Sequence, residues 1–378
     1  MAVAIGLMPA LSLEKPQDLS EFTLCPISEL GSYDLNEADS GAYQALARAY
    51  AESRGASEKY QVVLIQRTGN QPQDVRIAES RAAVDCLAFA AVCGGRKHML
   101  ENPGWAVLAF PDYFHLSPIV AGKSGGFISD TSRILVYSTD TQDMALFWPV
   151  ERALDPRNIR WDHNLMIALS GVVVRLLQSS IDVEATRIAR SLSLMNQALR
   201  GLSDLIPGHV DVAEPFVLAV SALETLCHPG TGDASRSTVL HQTKALSFAS
   251  SVFSNLTNSN RKKRVVALID QVYQVRHSYI HGDKIEPSKL CYDENPDSTD
   301  LLRPLLFLYR KLIIAKAHSM GHISFVGPPD RSTDNLTVDE GVEWFRLHKQ
   351  ASDHRSLEEE CDGLLGRLLT EKAWWPNW

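Results

Sequence analysis

The spacing of apolar and polar positions changes character near residue 155. Upstream, short β-branched runs alternate with Ala-rich ones, and downstream the apolar residues recur at helical spacing. In the first part, residues 1–8 form an apolar start that reads as a candidate strand. Residues 42–50 read as a helix, with Asp39 and Ser40 as candidate caps. Residues 60–66 predict a strand that ends in a turn at 67–70. Residues 79–93 predict an Ala-rich helix stopped by Gly94 and Gly95. Two more strands are expected at 105–110 and 133–137, with a flexible loop at 122–126 between them.

The second part predicts helices over 161–178, 183–205, 212–227, 238–253, 258–280 and 299–318, the last carrying Pro304 near its start. Residues 155–158 read as the hinge between the parts. A polar linker follows 326–330, then a short helix opened by the capping-box pattern of Thr337 and Glu340. A separate charged helix is expected over 356–370, ahead of the tail Trp374-Trp375-Pro376-Asn377-Trp378. Three tryptophans in five residues favour docking of that tail on a protein surface, with base stacking as the alternative. The pattern is therefore α+β: a mixed α/β domain over 1–155, an all-α bundle over 156–325 and a helical extension over 326–378.

Composition narrows this picture. At 378 residues, with 45% hydrophobic and 22% charged positions, the chain can bury a core in each part. No apolar run reaches the roughly 18 residues needed to span a bilayer, so no membrane partner is expected. The start lacks a basic segment and reads as an ordinary N-terminus, not a signal peptide. The six cysteines include no Cys-x-x-Cys pair, which suggests free thiols in a reducing cytoplasm. Cys86 and Cys93, seven apart on an expected helix, point to core packing more than to a metal. The net charge of −8 argues against a protein that grips nucleic acid over its whole surface, though a local basic groove is compatible with it.

Gly122-Lys123-Ser124 has the look of a phosphate-binding loop, but Ser117 stands where that motif needs its first glycine. Gly125 and Gly126 follow where it needs a helix, so a surface loop is the expectation. His318 and His322 are four apart, but no third ligand is near in sequence, and neither a metal nor a cofactor is expected.

The sharpest chemical signal is the run from Gln271 to Asp283, which contains Arg276, His277, His281 and Gly282. The apolar positions Val265, Val266, Leu268, Ile269, Val272 and Tyr273 give its helix one broad buried face. Arg276 near the C-terminal end is favoured by the helix dipole, and Gly282 is a natural stop. Five residues of ideal helix turn about 500°, leaving Arg276 and His281 about 140° apart around the axis. Either the helix breaks before His281, or two copies of the motif converge across a dimer. Glu224, a carboxylate in an apolar helical stretch, needs a partner when buried. Arg276 is the obvious one, and the pair reads either as part of a site or as a plain structural salt bridge. Arg261, Lys262, Lys263 and Arg264 open the same helix, where the dipole disfavours cations. They read as an RNA contact about 22 Å from Arg276, or as a solvated face.

Arg276-x4-His281 followed by Gly282, with the upstream segment from Phe216 to Leu226 that includes Glu224, resembles the HEPN superfamily, and within it the Apea-type branch. The resemblance covers about residues 160–325. It implies a helical bundle that dimerises to form a ribonuclease site. Cleavage would be metal-independent, the ribose 2′-oxygen attacking the adjacent phosphorus. His281 would move protons, Arg276 would stabilise transition-state charge and His277 would support the site. The resemblance also implies an RNA substrate, a homodimer or higher homo-oligomer, and a role as an anti-phage defence or toxin effector. Residues 1–155 would then sense or restrain, with a phage-derived trigger or partner protein as a candidate. A second reading keeps the fold with a silent site, the protein acting as a scaffold through dimerisation or partner contacts. A third, a toxin silenced by nucleotidylation, is disfavoured because Asp283 stands where such relatives carry a tyrosine.

Overall fold

A computed structural model describes residues 2–19, 21–35, 61–67, 73–93, 117–121, 127–129, 134–135, 145–146, 159–178, 182–200, 213–232, 235–246, 258–292, 301–319 and 338–370, with positions 41, 43–45, 47–48, 114, 116 and 248. The expected strand at 105–110, the loop at 122–126, the hinge at 155–158, the linker after 326 and the tryptophan-rich tail lie outside these residues. The chain forms two compact units. The first comprises Met1–Arg160, Ser170–Ala189 and Leu202–Asp204. The second comprises Trp161–Leu169, Arg190–Gly201 and Leu205–Trp378.

The first unit is built on strands β1 (Val3–Ser12), β2 (Gln17–Leu19), β3 (Phe22–Pro26), β4 (Gln61–Gln66), β5 (Ala91–Cys93), β6 (Ser117–Ala121), β7 (Phe127–Ser129), β8 (Ile134–Leu135) and β9 (Ala145–Leu146), with helix α1 (Gln73–Ala90). A further short strand, β10, runs over Ile159–Trp161. Among the described residues six strands make one sheet in the order β2-β3-β4-β1-β6-β7, every neighbouring pair antiparallel. β4 pairs with β1 through Leu7 and Val63, and with β3 through Cys25 and Val63. Leu7, Cys25, Val63 and Ile65 form one buried face with Ile27, Leu30, Tyr43 and Ala47. On the other face Met8, Phe22, Leu24, Val62 and Leu64 are buried as well. A strand covered on both sides reads as a continuous apolar run, which is the pattern of residues 60–66.

The expected helix over 79–93 differs in two ways. It begins earlier, at Gln73, and it ends at Ala90, so Ala91–Cys93 is a strand. Cys86 and Cys93 therefore do not share a helical face. Short apolar residues such as Ala, Val and Cys fit either state, and the pairing of a neighbouring strand decides between them.

The second unit is helical: α2 (His163–Leu177), α3 (Val183–Arg200), α4 (Glu214–Leu226), α5 (Arg236–Ala245), α6 (Asn258–Ile280), α7 (Leu302–Ser319) and α8 (Val338–Thr370), with α2 and α3 each divided between the units. Sequence-local chemistry sets the helix starts. Asp162 caps α2, its Oδ1 accepting from the Leu165 amide at 3.0 Å. Asp182 caps α3 through the amides of Glu184 and Ala185 at 3.0 and 2.9 Å. Pro215 and Pro304 lie in the first turns of α4 and α7, where no intrahelical donor is lost. α8 corrects the sequence reading, because the short helix expected to open at the Thr337–Glu340 pattern and the charged helix expected over 356–370 fall on one continuous helix.

α4 packs on α5, α6 and α7, α6 packs also on α5 and α7, and α8 packs on α7. Leu223, Leu226, Leu268, Ile269, Val272, Leu305 and Leu308 fill the core between them. Ser191 of α3 joins three helices with one hydroxyl. It donates to the Ala222 carbonyl at 2.7 Å and accepts from the Tyr309 hydroxyl at 2.6 Å. The chain is thus mixed, an antiparallel sheet in its N-terminal part and mostly helix beyond. Among the described residues no helix is long and apolar enough to cross a membrane.

Candidate functional site

α6 carries six of the residues singled out for a site role, Arg261, Lys262, Lys263, Arg264, Arg276 and His277, and His281 follows directly at its end. Its buried face is the one expected: Val265, Leu268, Ile269, Val272 and Tyr273 are buried, Val275 joins them, and Val266 is half-buried. That face fixes the rotation of the helix and with it the outlook of the polar residues.

Arg276 and Glu224 come together. The Arg276 Nη2 lies 4.0 Å from Glu224 Oε2, the outer limit of an ion pair, with Arg276 33% and Glu224 21% exposed. The other carboxylate oxygen, Oε1, accepts a hydrogen bond from the Tyr273 hydroxyl at 3.1 Å. Tyr273, one turn before Arg276, is the residue that sequence reasoning counted only as part of the apolar face. Burial first, and then the adjacent Glu224, push its phenol above the ordinary range, so it stays protonated and acts as a donor. Arg276 Nε is buried with no hydrogen-bond partner. Among the described residues the guanidinium is thus placed by one loose ion pair and is not locked in a fork.

His281 is reached by an unbroken helix. Its amide bonds to the His277 carbonyl at 3.1 Å, the regular helical pattern, so the helix does not break before it. The break comes one residue later. Gly282 takes φ +74°, its amide bonds to the Tyr279 carbonyl at 3.1 Å, and the Asp283 amide returns to the Ser278 carbonyl at 2.9 Å. This pair of bonds is a Schellman ending, for which glycine at the left-handed position is suited. His281 is therefore the capping residue, exposed at the very end of α6. Its ring lies 4.2 Å from that of His277, centroid to centroid, and His277 is exposed as well. The two imidazoles share one outward side of the helix. Arg276, about 100° away from His277 around the axis, faces Glu224. Within the chain the structure brings together Arg276 with Glu224, and His277 with His281.

The basic tract at the start of α6 is divided. Lys263 is exposed. Arg264 is half-buried and donates to the Leu369 carbonyl near the end of α8, a favourable place for a cation. Arg261 and Lys262 lie on the same helix, and their side chains are outside the described ones.

Sequence reasoning missed a second charged constellation in this unit. Asp162, Arg310, Glu358 and His354 meet in the interior. Arg310 Nη2 donates to Asp162 Oδ2 at 2.5 Å, and its Nη1 pairs with Glu358. His354 Nδ1 lies 2.8 Å from both Asp162 oxygens, so that nitrogen carries the proton it donates. Lys311 adds two bonds of 2.6 Å to Asp362. Burial alone would raise the pKa of Asp162. The His354 hydrogen bond and the Arg310 charge outweigh it and hold that carboxyl below its ordinary value. The donor atoms of Asp162, His354 and Glu358 lie within 4.8 Å of one another, a set of metal-binding residue types. Here the Arg310 guanidinium already supplies the positive charge these carboxylates need. The signal that could have found this network is the rule that found Glu224: Arg310 and Lys311 interrupt the apolar run of α7.

Cys227, three residues after Glu224, is buried, and burial pushes its thiol up to about 12, which leaves it protonated and unreactive. The arrangement as a whole offers an anion a half-exposed guanidinium and offers a proton two exposed imidazoles, all at one end of α6. Compared with protein-family models, curated proteins and solved structures, the chain matches none of them.

Proposed function

We propose that the protein is a metal-independent endoribonuclease of the HEPN type, working as a homodimer or higher homo-oligomer, in which Arg276 and His281 act on one phosphodiester. The single observation that carries this reading is the end of α6. Arg276 is half-exposed beside Glu224, and five residues on His281 is displayed at a Schellman cap next to His277. The resemblance of Arg276-x4-His281-Gly282 to the HEPN motif supplies the chemistry.

In that chemistry the 2′-oxygen forms a bond to phosphorus, the P–O5′ bond breaks, and a 2′,3′-cyclic phosphate and a free 5′-hydroxyl result. One neutral imidazole takes the proton of the 2′-hydroxyl, and one protonated imidazole returns a proton to O5′. Arg276, always charged, stabilises the added negative charge on the phosphoryl oxygens. The unbroken helix supports pairing of two protomers, because Arg276 of one chain and His281 of the same chain look in different directions. Two copies of α6 related by a two-fold axis would gather two guanidiniums and two imidazoles around one strand. DNA lacks the attacking hydroxyl and would be spared. A role in anti-phage defence or as a toxin, with the N-terminal domain as sensor or restraint and a phage-derived partner as trigger, extends the same reading, as does a cytoplasmic location.

The test is incubation of the purified full chain with total RNA and tRNA, with and without EDTA, followed by end-group analysis. Expected are EDTA-resistant fragments with cyclic phosphate and 5′-hydroxyl ends, lost in Arg276→Ala and in His281→Ala. Activity that disappears in EDTA, or that survives both substitutions, removes the proposal. Survival of the biological effect in both variants would favour a scaffold acting through partner contacts.

A further inference from the structure

We infer that Tyr273 is a positioning residue for the site, holding Glu224 so that the remaining carboxylate oxygen orients Arg276; the inference rests on the ribonuclease reading above. Three observations carry it. Tyr273 and Arg276 lie one turn apart on α6, so their side chains reach the same neighbour on α4. That neighbour, Glu224, divides its two oxygens between them, Oε1 to the Tyr273 hydroxyl at 3.1 Å and Oε2 toward Arg276 Nη2 at 4.0 Å. And Arg276 Nε is buried without a hydrogen-bond partner, while Glu224 is the acidic group that faces this guanidinium among the described residues.

A carboxylate with one partner would rotate freely about its terminal bond and sample orientations that do not face Arg276. A phenol that remains a donor at every pH near neutrality removes that freedom at one oxygen and so fixes the other. The 4.0 Å separation then has a use. A guanidinium in a tight bidentate pair would be neutralised and turned from substrate, whereas one held at the limit of contact keeps its charge and direction available for a phosphate. Tyr273 does not touch the reacting atoms and acts through Glu224 alone.

The experiment is a double-mutant cycle on the full chain, with Tyr273→Phe, Glu224→Gln and the pair, read by steady-state RNA cleavage and by the thermal midpoint. Tyr273→Phe should lower kcat about 10-fold, the scale of one lost hydrogen bond to a charged group, with KM changed less than about 2-fold. In the Glu224→Gln background the same substitution should add less than about 2-fold. A merely structural tyrosine would instead lower the midpoint while the folded protein kept its kcat, or would give equal losses in both backgrounds; either result overturns the inference. If Tyr273→Phe does not fold, Glu224→Asp withdraws the carboxylate from both partners and should show the same loss in kcat, and full activity in that variant overturns the inference. Cleavage by the wild-type chain with an unaffected Tyr273→Phe sinks this inference alone. No cleavage by the wild-type chain, or cleavage untouched by Arg276→Ala, sinks the ribonuclease reading and this inference with it.

Discussion

Two places in the helical unit use the same three kinds of side chain, a carboxylate, an arginine and a histidine, and use them in opposite ways. Around Arg310 the groups are largely enclosed: Arg310 is 6% exposed in its side chain, His354 2%, Asp162 0% and Glu358 15%, and short bonds join them. Around Arg276 the groups are half open, the ion pair is at 4.0 Å and the imidazoles face outward. The first set has its charges paired inside the protein, although Arg310 Nε has no hydrogen-bond partner, and it holds α7, α8 and the start of α2 together. The second keeps charge and proton capacity unspent. Residue type alone does not separate a site from a structural joint; the degree to which the protein has already satisfied its own groups does.

Breaking the two sets should therefore give opposite outcomes. The largest effect is expected at the closed one. Arg310→Ala leaves Asp162 and Glu358 buried without their cation and should destabilise the helical unit by about 3–5 kcal/mol, read as a fall in thermal midpoint or in the denaturant midpoint. A midpoint within a degree of wild type would mean that the buried network does not hold these helices together. Next comes the open set, where the proposed ribonuclease activity requires that His281→Ala reduce RNA cleavage by about 100-fold or more and leave the midpoint nearly unchanged, since the ring is exposed.

The pH dependence sharpens the contrast further. Asp162 has its folded pKa depressed below the ordinary 3.8, so its contribution is present above that value and is lost as pH falls through the lower folded one. Denaturation curves below about pH 4 should accordingly fall less steeply with acid in Asp162→Asn than in wild type. Equal slopes would mean that the carboxylate is not held by its neighbours. The smallest effects belong to the basic tract. Arg264→Ala should cost about 1 kcal/mol by loss of its bond to the Leu369 carbonyl. Lys263→Ala should leave stability alone and, if the tract touches RNA, reduce the salt dependence of binding by about one charge.

The limits of sequence reading follow from the same physics. α6 was legible over its full length, Asn258 to Ile280, because its apolar face is regular and Gly282 ends it by a local rule. The Glu224–Arg276 pair was legible because a carboxylate in an apolar helix demands a partner. Tyr273 was not, since a phenol on a buried face looks the same whether its hydroxyl is used or idle. The Asp162–His354 contact joins residues 192 apart, and nothing local marks it. β2 and β3 were missed because strands of 3 and 5 residues carry little periodicity. α8 was read as two pieces because its capping-box start and its charged second half each resemble a helix in their own right, and packing on α7 makes them one.

The doubly covered strand β4 has a consequence for how the sheet finds its alignment. A slip by one residue would exchange Val62 and Leu64 for Val63 and Ile65, apolar for apolar, so water exclusion scarcely distinguishes the correct pairing from its neighbour. The choice passes to the polar ends. The Gln61 side chain donates from Nε2 to the Ala47 carbonyl at 3.0 Å only when the strand sits where it does, a peg in a slot at the margin of an otherwise interchangeable surface.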